Sequence, residues 1–432
     1  MALAMNPISI AIKGKGPFSF VRRVASIVKR YGLTPGKIDR ALAQFAAMLD
    51  QFGCSATFPI TCVALQRHPR VINRYQAQGI EFAVHGYRHL DHTQLSHAEQ
   101  LTHLTLSRQV FTQFGIEAHG FRSPYLRWNP DAVLALQQIG FAYDSSQALA
   151  WDVLDGQETP AYRQVLDFYR ALPANDYPSL PTLEHNLVRI PYSLPDDEAL
   201  VERLSLKSTS QMSALWLTIL HHTFQLGEVF TLGLHPERIA SCREPLAAVL
   251  TEACRLSPPV WIASLKEIAA WWRARAEATV KISDGSDGKL YLTVLGPSQI
   301  TVLARAVEVD GSVEPWADGY QQVEVLTFAL RSPVRPFIGL SPDASPELAD
   351  FLREQGYIVE TSQEGQDYSW YFDWAGDFRL EHQRPLLAQI EGTIRPLVRL
   401  GRWPNGARSA LSITGDIDAM TLWDYALRLV GR

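Results

Sequence analysis

Short apolar runs alternate with segments of helical periodicity through the first third of the chain. The apolar runs lie at 8–12, 55–60, 80–86, 118–124 and 141–146, and the periodic segments lie at 37–51, 70–79, 97–115 and 129–140. Apolar residues spaced three or four positions apart predict amphipathic helices, and short apolar runs bounded by Gly or Pro predict strands. The regular alternation predicts an α/β fold, with a parallel sheet or a (β/α) barrel.

This rhythm changes twice further along the chain. Residues 155–195 are rich in proline and predict a long decorated loop. Helices are then predicted at 211–226, 244–256 and 264–278, and strands at 228–235 and 257–263. Beyond about residue 280, β segments separated by Gly, Asp and Pro predict a small β-rich module, with a strand–helix–strand unit at 336–375. We therefore divide the chain into a barrel at 1–279, an appended module at 280–400 and a C-terminal strand and helix at 401–432.

Composition narrows the class of protein. The chain has 432 residues, of which 47% are hydrophobic, so global disorder is excluded. Its formal net charge of −5 disfavours binding to nucleic acid. The four cysteines are too scattered for a disulfide framework or a zinc–thiolate site, and we expect buried, reduced thiols.

The N-terminal residues bear on location. Asn6 and Pro7 interrupt the first apolar stretch, and the first lysines follow that stretch instead of preceding it. This order is wrong for a secretory signal, and no run is long enough to span a membrane. The sequence therefore predicts a cytoplasmic protein without an integral membrane span.

Several side chains with possible catalytic or metal-binding chemistry follow predicted strands. His85 and His89 are four positions apart and, on a helical turn or a turn entering a helix, could bind one divalent metal together. Arg122 could hold a carboxylate, and His235 ends a barrel strand, where catalytic groups usually lie. Each has an ordinary alternative: surface or capping histidines, a structural ion pair, or a satisfied histidine at the end of a strand.

A short internal similarity links the two ends of the chain. SIAIKGKG near the N-terminus aligns with SITGDIDA near the C-terminus, and an apolar, arginine-containing helix is predicted after each. In this alignment Lys13 falls on Asp416, and Lys15 falls on Asp418.

The order SATF, HGYRHLDHTQLS, GFRSPY, GFAYDSS and TLGLH over residues 54–235 resembles the polysaccharide deacetylases with NodB homology, carbohydrate esterase family four. The metal motif H-x-x-x-H corresponds to His85 and His89. The arginine motif corresponds to Arg122 and Tyr125, and the L-x-H motif ends at His235. The resemblance implies a distorted (β/α) barrel, a zinc-like divalent metal, and hydrolysis of N-acetyl groups on sugars.

The first motif of that family departs from its usual place. The family carries two aspartates at the end of its first strand, where this chain has Lys13 and Lys15, and ammonium groups cannot ligate a cation. Asp416 and Asp418 have the missing D-x-D pattern. We infer that the C-terminal strand returns to the barrel, like a circular permutation. Two alternatives remain: this segment begins a second, truncated domain, or it completes a neighbouring molecule.

The resemblance implies a role for each candidate residue. Asp418, His85 and His89 are the implied metal ligands, Asp416 the general base, Arg122 the group that keeps this base ionised, Tyr125 an oxyanion donor through its backbone N–H, His235 the general acid, and Asp144 or Asp197 an orienting carboxylate. The implied substrate is a carbohydrate with N-acetyl groups, either a polysaccharide or its precursor. A catalytically inactive carbohydrate-binding or regulatory protein, and an amidase acting on a small amide, are the two other readings.

Overall fold

The structure is a computed structural model, and its description covers residues 30–429. The strand predicted at 8–12, together with Lys13 and Lys15, lies outside these residues. The fold is mixed α/β, with a curled half-barrel sheet and an extra module, so the predicted fold class is confirmed.

The first part of the chain supplies most of the barrel. Its helices are α1 (Gly36–Gln51), α2 (Cys62–Arg67), α3 (Pro69–Gln76), α4 (His97–Gln113), α5 (Pro130–Ile139), α6 (Pro160–Tyr169), α7 (Thr209–Leu226), α8 (Ile239–Arg255) and α9 (Leu265–Ala276). Its strands are β1 (Thr57–Ile60), β2 (Glu81–Val84), β3 (Gly120–Phe121), β4 (Tyr143–Asp144), β5 (Ala148–Ala150), β6 (Leu172–Pro173), β7 (Thr182–Glu184), β8 (Leu187–Arg189), β9 (Tyr192–Leu194), β10 (Val229–Leu234) and β11 (Val260–Ile262).

The remaining elements form the appended module and the C-terminal segment. The module strands are β12 (Thr279–Asp284), β13 (Leu290–Leu295), β14 (Val302–Arg305), β15 (Glu308–Asp310), β16 (Val313–Pro315), β17 (Tyr320–Val323), β18 (Thr327–Arg331), β19 (Arg335–Leu340), β20 (Val359–Thr361), β21 (Tyr368–Phe372) and β22 (Leu397–Leu400). The module helices are α10 (Pro346–Glu354) and α11 (Leu380–Glu391), and the segment ends with β23 (Ser409–Gly415) and α12 (Leu422–Leu429).

The strand β23 lies in the middle of the barrel sheet. The strand order is β6-β5-β9-β10-β23-β1-β2-β3-β4-β8-β7, and β11 also pairs with β23. Residues Val229–Leu234 run parallel to Ala410–Gly415 in continuous register, and Thr57 is the partner of Thr414 on the other side. All seven residues of β23 are buried, as expected for a parallel strand covered on both faces.

Local sequence signals set the helices that cover this sheet. Ser96 caps α4 and Glu99 completes its capping box, while Asn129 caps α5 ahead of a proline in the first turn. The apolar faces bury Phe58, Leu411, Ile413, Trp216 and their neighbours in one core. Burial of these side chains is the main force that stabilises the barrel.

The barrel helix α9 contacts both the module and the segment that follows it. Trp272 donates from Nε1 to Oε1 of Glu354 in the module at 2.7 Å, and its ring lies 5.4 Å from that of Trp403 in the C-terminal segment. Within the module, β14 pairs with β22. The strand β22 is the last strand of the module and directly precedes β23 in the chain. The division at 279 and 400 as separate domains remains a prediction.

Two local predictions were wrong. Residues 155–195 contain the helix α6 and four short strands, because Thr159 caps this helix and Pro160 is compatible with its first turn. Cys254 is exposed instead of buried, although Cys62 and Cys242 are buried as expected. No described helix combines the length and the apolar character that a membrane crossing requires.

Candidate metal centre and active site

Loops at the carboxyl ends of four parallel strands bring the candidate side chains to one edge of the sheet. His85 follows β2, Arg122 follows β3, His235 follows β10 and Asp416 follows β23. The ends of neighbouring parallel strands share an edge, so residues far apart in sequence meet there. The backbone N–H of Asp416 donates to Leu234 at 3.1 Å, which fixes the acidic segment beside β10.

His85, His89 and Asp418 converge on one point. Oδ1 of Asp418 lies 3.3 Å from Nε2 of His85 and 3.2 Å from Nε2 of His89. The three possible ligand atoms lie within 4.8 Å of one another. The other ring nitrogen of His85, Nδ1, is 2.8 Å from the backbone oxygen of Arg122, which leaves Nε2 directed at this point.

This set of donor atoms fits a divalent cation. Oδ1 of Asp418 is buried and has no hydrogen-bond partner among the described residues. A buried carboxylate oxygen without a donor is costly unless a cation satisfies it. Two imidazole nitrogens and one carboxylate oxygen are the ligands of many zinc sites, in which water takes an open position. His85, His89 and Asp418 would hold such a metal.

The two histidines lie on a bend and not on a helical turn. Gly86, between them, has φ +80°, and a Cβ at this position would lie 2.8 Å from the backbone oxygen of Arg88. Only glycine adopts this conformation at little cost, so the bend depends on it. The chain then brings the rings of His85 and His89 to a centroid distance of 5.2 Å.

Sequence reasoning missed Arg428, which lies on α12. Its Nη1 donates to Oδ2 of Asp418, and its Nη2 is 3.1 Å from Nε2 of His89. Burial and the charge of Arg428 lower the pKa of His89 to about 3. Burial raises the pKa of Asp418, but the charge of Arg428 and the contacts with His89 and His85 together lower this pKa well below its usual range. The arginine in the helix after SITGDIDA was the available signal.

Asp416 and Arg122 form a buried ion pair next to these ligands. Nη1 of Arg122 lies 2.8 Å from Oδ1 of Asp416 and 3.0 Å from Oγ1 of Thr414. The other guanidinium nitrogens donate to Ser145. Oδ2 of Asp416, which Arg122 leaves free, is 3.9 Å from Nε2 of His85. A charge-assisted bond of this kind is short and directional, so it fixes the position of the Asp416 carboxylate.

His235 pairs with Asp197 on the other side of the site. Nδ1 of His235 is 2.7 Å from Oδ1 of Asp197, and its backbone N–H donates to Oδ2 at 2.8 Å. Burial lowers the pKa of His235, but the charge and hydrogen bond of Asp197, together with the charge of Glu237, raise that pKa to about 10. Asp197 is fully buried and thus fixes both the charge and the orientation of the ring.

The other carboxylate considered for orientation, Asp144, has different neighbours. It lies 3.1 Å from Nε of Arg189 and accepts a hydrogen bond from Ser146. Ser146 accepts from the backbone N–H of Ser123 at 2.8 Å. Asp144 therefore contacts the loop after Arg122 indirectly, and the direct contact with His235 belongs to Asp197.

Aromatic side chains form the wall of the cavity into which these groups open. Tyr125, Phe168, Tyr169, Tyr192 and Tyr425 line it together with His85, His89, His235, Asp416 and Asp418. The rings of Tyr125 and His89 are nearly perpendicular, with centroids 4.3 Å apart. Tyr125 has φ +60°, an uncommon backbone conformation outside glycine that is often seen at functional sites.

Residues 35–143 match a family model described as polysaccharide deacetylase. This segment is therefore similar to the polysaccharide deacetylase family. The matched segment contains His85, His89, Arg122 and Tyr125. His235 and the aspartates of the C-terminal strand lie beyond it. The match supports deacetylase-type hydrolysis in general terms.

Several solved structures are similar to this chain. A putative polysaccharide deacetylase from Mycobacterium smegmatis has 22% identity and a TM-score of 0.45, with 62% of this chain and 88% of that chain covered. A probable polysaccharide deacetylase from Pseudomonas aeruginosa PAO1 has 20% identity and a TM-score of 0.43, covering 54% and 73%. Puue allantoinase has 21% identity and a TM-score of 0.43, covering 54% and 72%. No curated protein sequence is similar enough to count as a match.

Proposed function

We propose that this protein is a metal-dependent hydrolase that removes N-acetyl groups from an amino-sugar polysaccharide or its precursor, by cleaving a non-peptide C–N bond. The observation that supports this most directly is the position of Oδ1 of Asp418, between the Nε2 atoms of His85 and His89. The pair Asp416–Arg122 and the pair His235–Asp197 open on the same cavity, as a base and an acid must.

When bound, a divalent metal supplies Lewis acidity, which polarises the acetamide carbonyl and makes water more acidic. Zinc suits two imidazoles and a carboxylate, and this donor set also accepts cobalt, nickel or iron. Side chains of the protein carry out the proton transfers. Oδ2 of Asp416 removes a proton from the attacking water, while Arg122 holds Oδ1 and orients the carboxylate.

His235 is the proton donor in this proposal. Its pKa of about 10 keeps the imidazole protonated at neutral pH, so a proton is available for the leaving amine. Asp197 holds Nδ1, which leaves Nε2 to face the cavity. The backbone N–H of Tyr125 is the proposed donor to the oxyanion that develops on the acetamide oxygen.

We also infer that β23 takes the place of the first strand of the family, as in a circular permutation. Its position between β10 and β1 supports this inference, because the aspartates that follow it then meet the histidine motif. The aromatic wall of the cavity is suited to stacking on a sugar ring. We propose a glycan on this basis, with a small amide as the second candidate.

The decisive assay measures acetate released from N-acetylglucosamine oligomers by the full chain after loading with zinc. Asp416→Asn and His235→Ala are each expected to lower turnover by about 100-fold or more. Release of ammonia or amine from small amides, without acetate release from the oligomers, would favour the amidase. Absence of metal uptake and of both activities would leave the carbohydrate-binding protein as the better reading.

A further inference from the structure

We propose that a small oxyanion, either phosphate or a carboxylate, binds at Arg402 in a cavity between the barrel and the appended module. This site is separate from the candidate metal centre, and the inference does not depend on the proposed hydrolase activity. It rests on a buried guanidinium that the described residues do not neutralise.

The cavity lies where three parts of the chain meet. The end of α7 and the turn before β10 form one side, the helix α11 and residues of β14 to β17 in the module form the second, and β22 with the residues after it forms the third. Gln225 and Leu226 are exposed at this cavity, so a solute can enter it from solvent. Its charged lining is mixed, with four arginines, Arg384, Arg399, Arg402 and Arg408, and three acids, Glu228, Glu391 and Asp318.

Arg402 is buried without an ionic partner. Only 7% of its surface is exposed. Nε donates to the side-chain oxygen of Gln355 at 3.1 Å, and Nη1 donates to the backbone oxygen of Leu226 at 3.1 Å. Nη2 is buried and has no hydrogen-bond partner, and no carboxylate of residues 30–429 lies within ion-pair distance of this guanidinium.

The neighbouring carboxylates already serve other arginines. Glu391 pairs with Arg399, and Glu228 pairs with Arg384 through both of its oxygens. Burial and the nearby charge of Arg399 lower the pKa of Arg402, which reflects the cost of a second positive charge there. A buried, uncompensated charge is expensive, and a bound anion would remove that cost.

The donors that remain free suit an oxyanion. Nη2 of Arg402 and Nε of Arg408 are both buried, unpartnered N–H groups on side chains that line this cavity. Guanidinium groups bind phosphate and carboxylate oxygens through short, charge-assisted hydrogen bonds. The mixed lining, with acids close by, favours a small anion over a highly charged polymer.

The test measures thermal unfolding of the full chain in chloride buffer, and then with inorganic phosphate or acetate added at equal ionic strength. Phosphate is expected to raise Tm by a few degrees at saturation, because it binds only the folded chain. Acetate tests whether the site binds a carboxylate, and a rise in Tm with either anion supports the site. Arg402→Met should abolish the rise, without loss of Tm in chloride, since a buried unpaired charge is removed.

Arg335→Met is the matched control, because Arg335 pairs with Glu360 in the module and does not line the cavity. No rise in Tm with either anion, or an equal rise in wild type and Arg402→Met, would overturn the proposal. If Arg402→Met does not fold, calorimetric titration of phosphate into wild type and Arg408→Gln decides. We expect binding about threefold to tenfold weaker in the variant, and an unchanged Kd would reject the site.

Discussion

Arg428 donates a hydrogen bond to Oδ2 of Asp418, ten residues before it in the chain. The same guanidinium reaches Nε2 of His89 at 3.1 Å. A positive side chain thus contacts two of the three residues that we propose as metal ligands, Asp418 and His89. Arg428 balances the charge of Asp418, and its own positive charge repels a divalent cation that binds to these ligands.

We therefore predict that Arg428→Met binds zinc more tightly than the wild type, by about tenfold, because a competing cation is removed while most of the packing volume remains. Competition titration with a chromophoric chelator gives both affinities. Arg67→Met is the control, since Arg67 pairs with Asp424 at 3.1 Å and does not contact the ligands. Weaker zinc binding in Arg428→Met would instead mean that Arg428 positions Asp418 for the metal.

The two aspartates after β23 should have separable effects. Asp418→Ala removes a proposed ligand and should lose most of the bound zinc, by elemental analysis of the purified protein. Asp416→Asn should keep its zinc and lose about 100-fold or more in turnover, because the proposed base is neutralised. Full zinc content in Asp418→Ala would show that the ligand assignment is wrong.

The pair His235–Asp197 predicts a dependence of stability on pH. The pKa of His235 rises from 6.5 to about 10 in the folded chain, so the folded state binds more protons between these values. The stabilisation is complete below about pH 6.5 and is lost as the pH rises through about 10. In urea unfolding from pH 6 to pH 10, the free energy of unfolding should fall less with rising pH in Asp197→Asn than in the wild type. Parallel curves for both proteins would contradict the prediction.

Packing of β23 in the barrel can be tested by removal of a buried side chain. Leu411→Ala should lower the free energy of unfolding by about 2–5 kcal/mol, since Leu411 is fully buried in the barrel core. Leu295→Ala is the control, because Leu295 is 45% exposed in the module and its truncation should cost less than about 1 kcal/mol. Equal losses in urea unfolding would count against this packing.

The sequence predicted the barrel well where the apolar periodicity is strong, as in α1 and β10. It did not predict α6, because many prolines in 155–195 favour a loop, whereas Pro160 stands in the first turn of a helix, where proline is tolerated. Strands of two residues, such as β3 and β4, are defined by their sheet neighbours and not by their own pattern.

The candidate site was predictable only in part, for a similar reason. The motifs identified His85, His89 and His235, but local sequence cannot decide between Asp144 and Asp197, since that choice depends on which loop lies beside His235. The role of Arg428 was also hidden. A helix can present any of its faces to the barrel, and only the packing of α12 turns this arginine towards the cavity.

The central position of β23 has a consequence for synthesis at the ribosome. Until residues 409–415 emerge, β1 and β10 lack the partner that joins them, and each exposes backbone N–H and C=O groups. The whole module is translated during that interval. We expect the nascent chain to stay incompletely closed, and exposed to aggregation and to chaperones, for longer than a barrel whose strands pair in the order of synthesis.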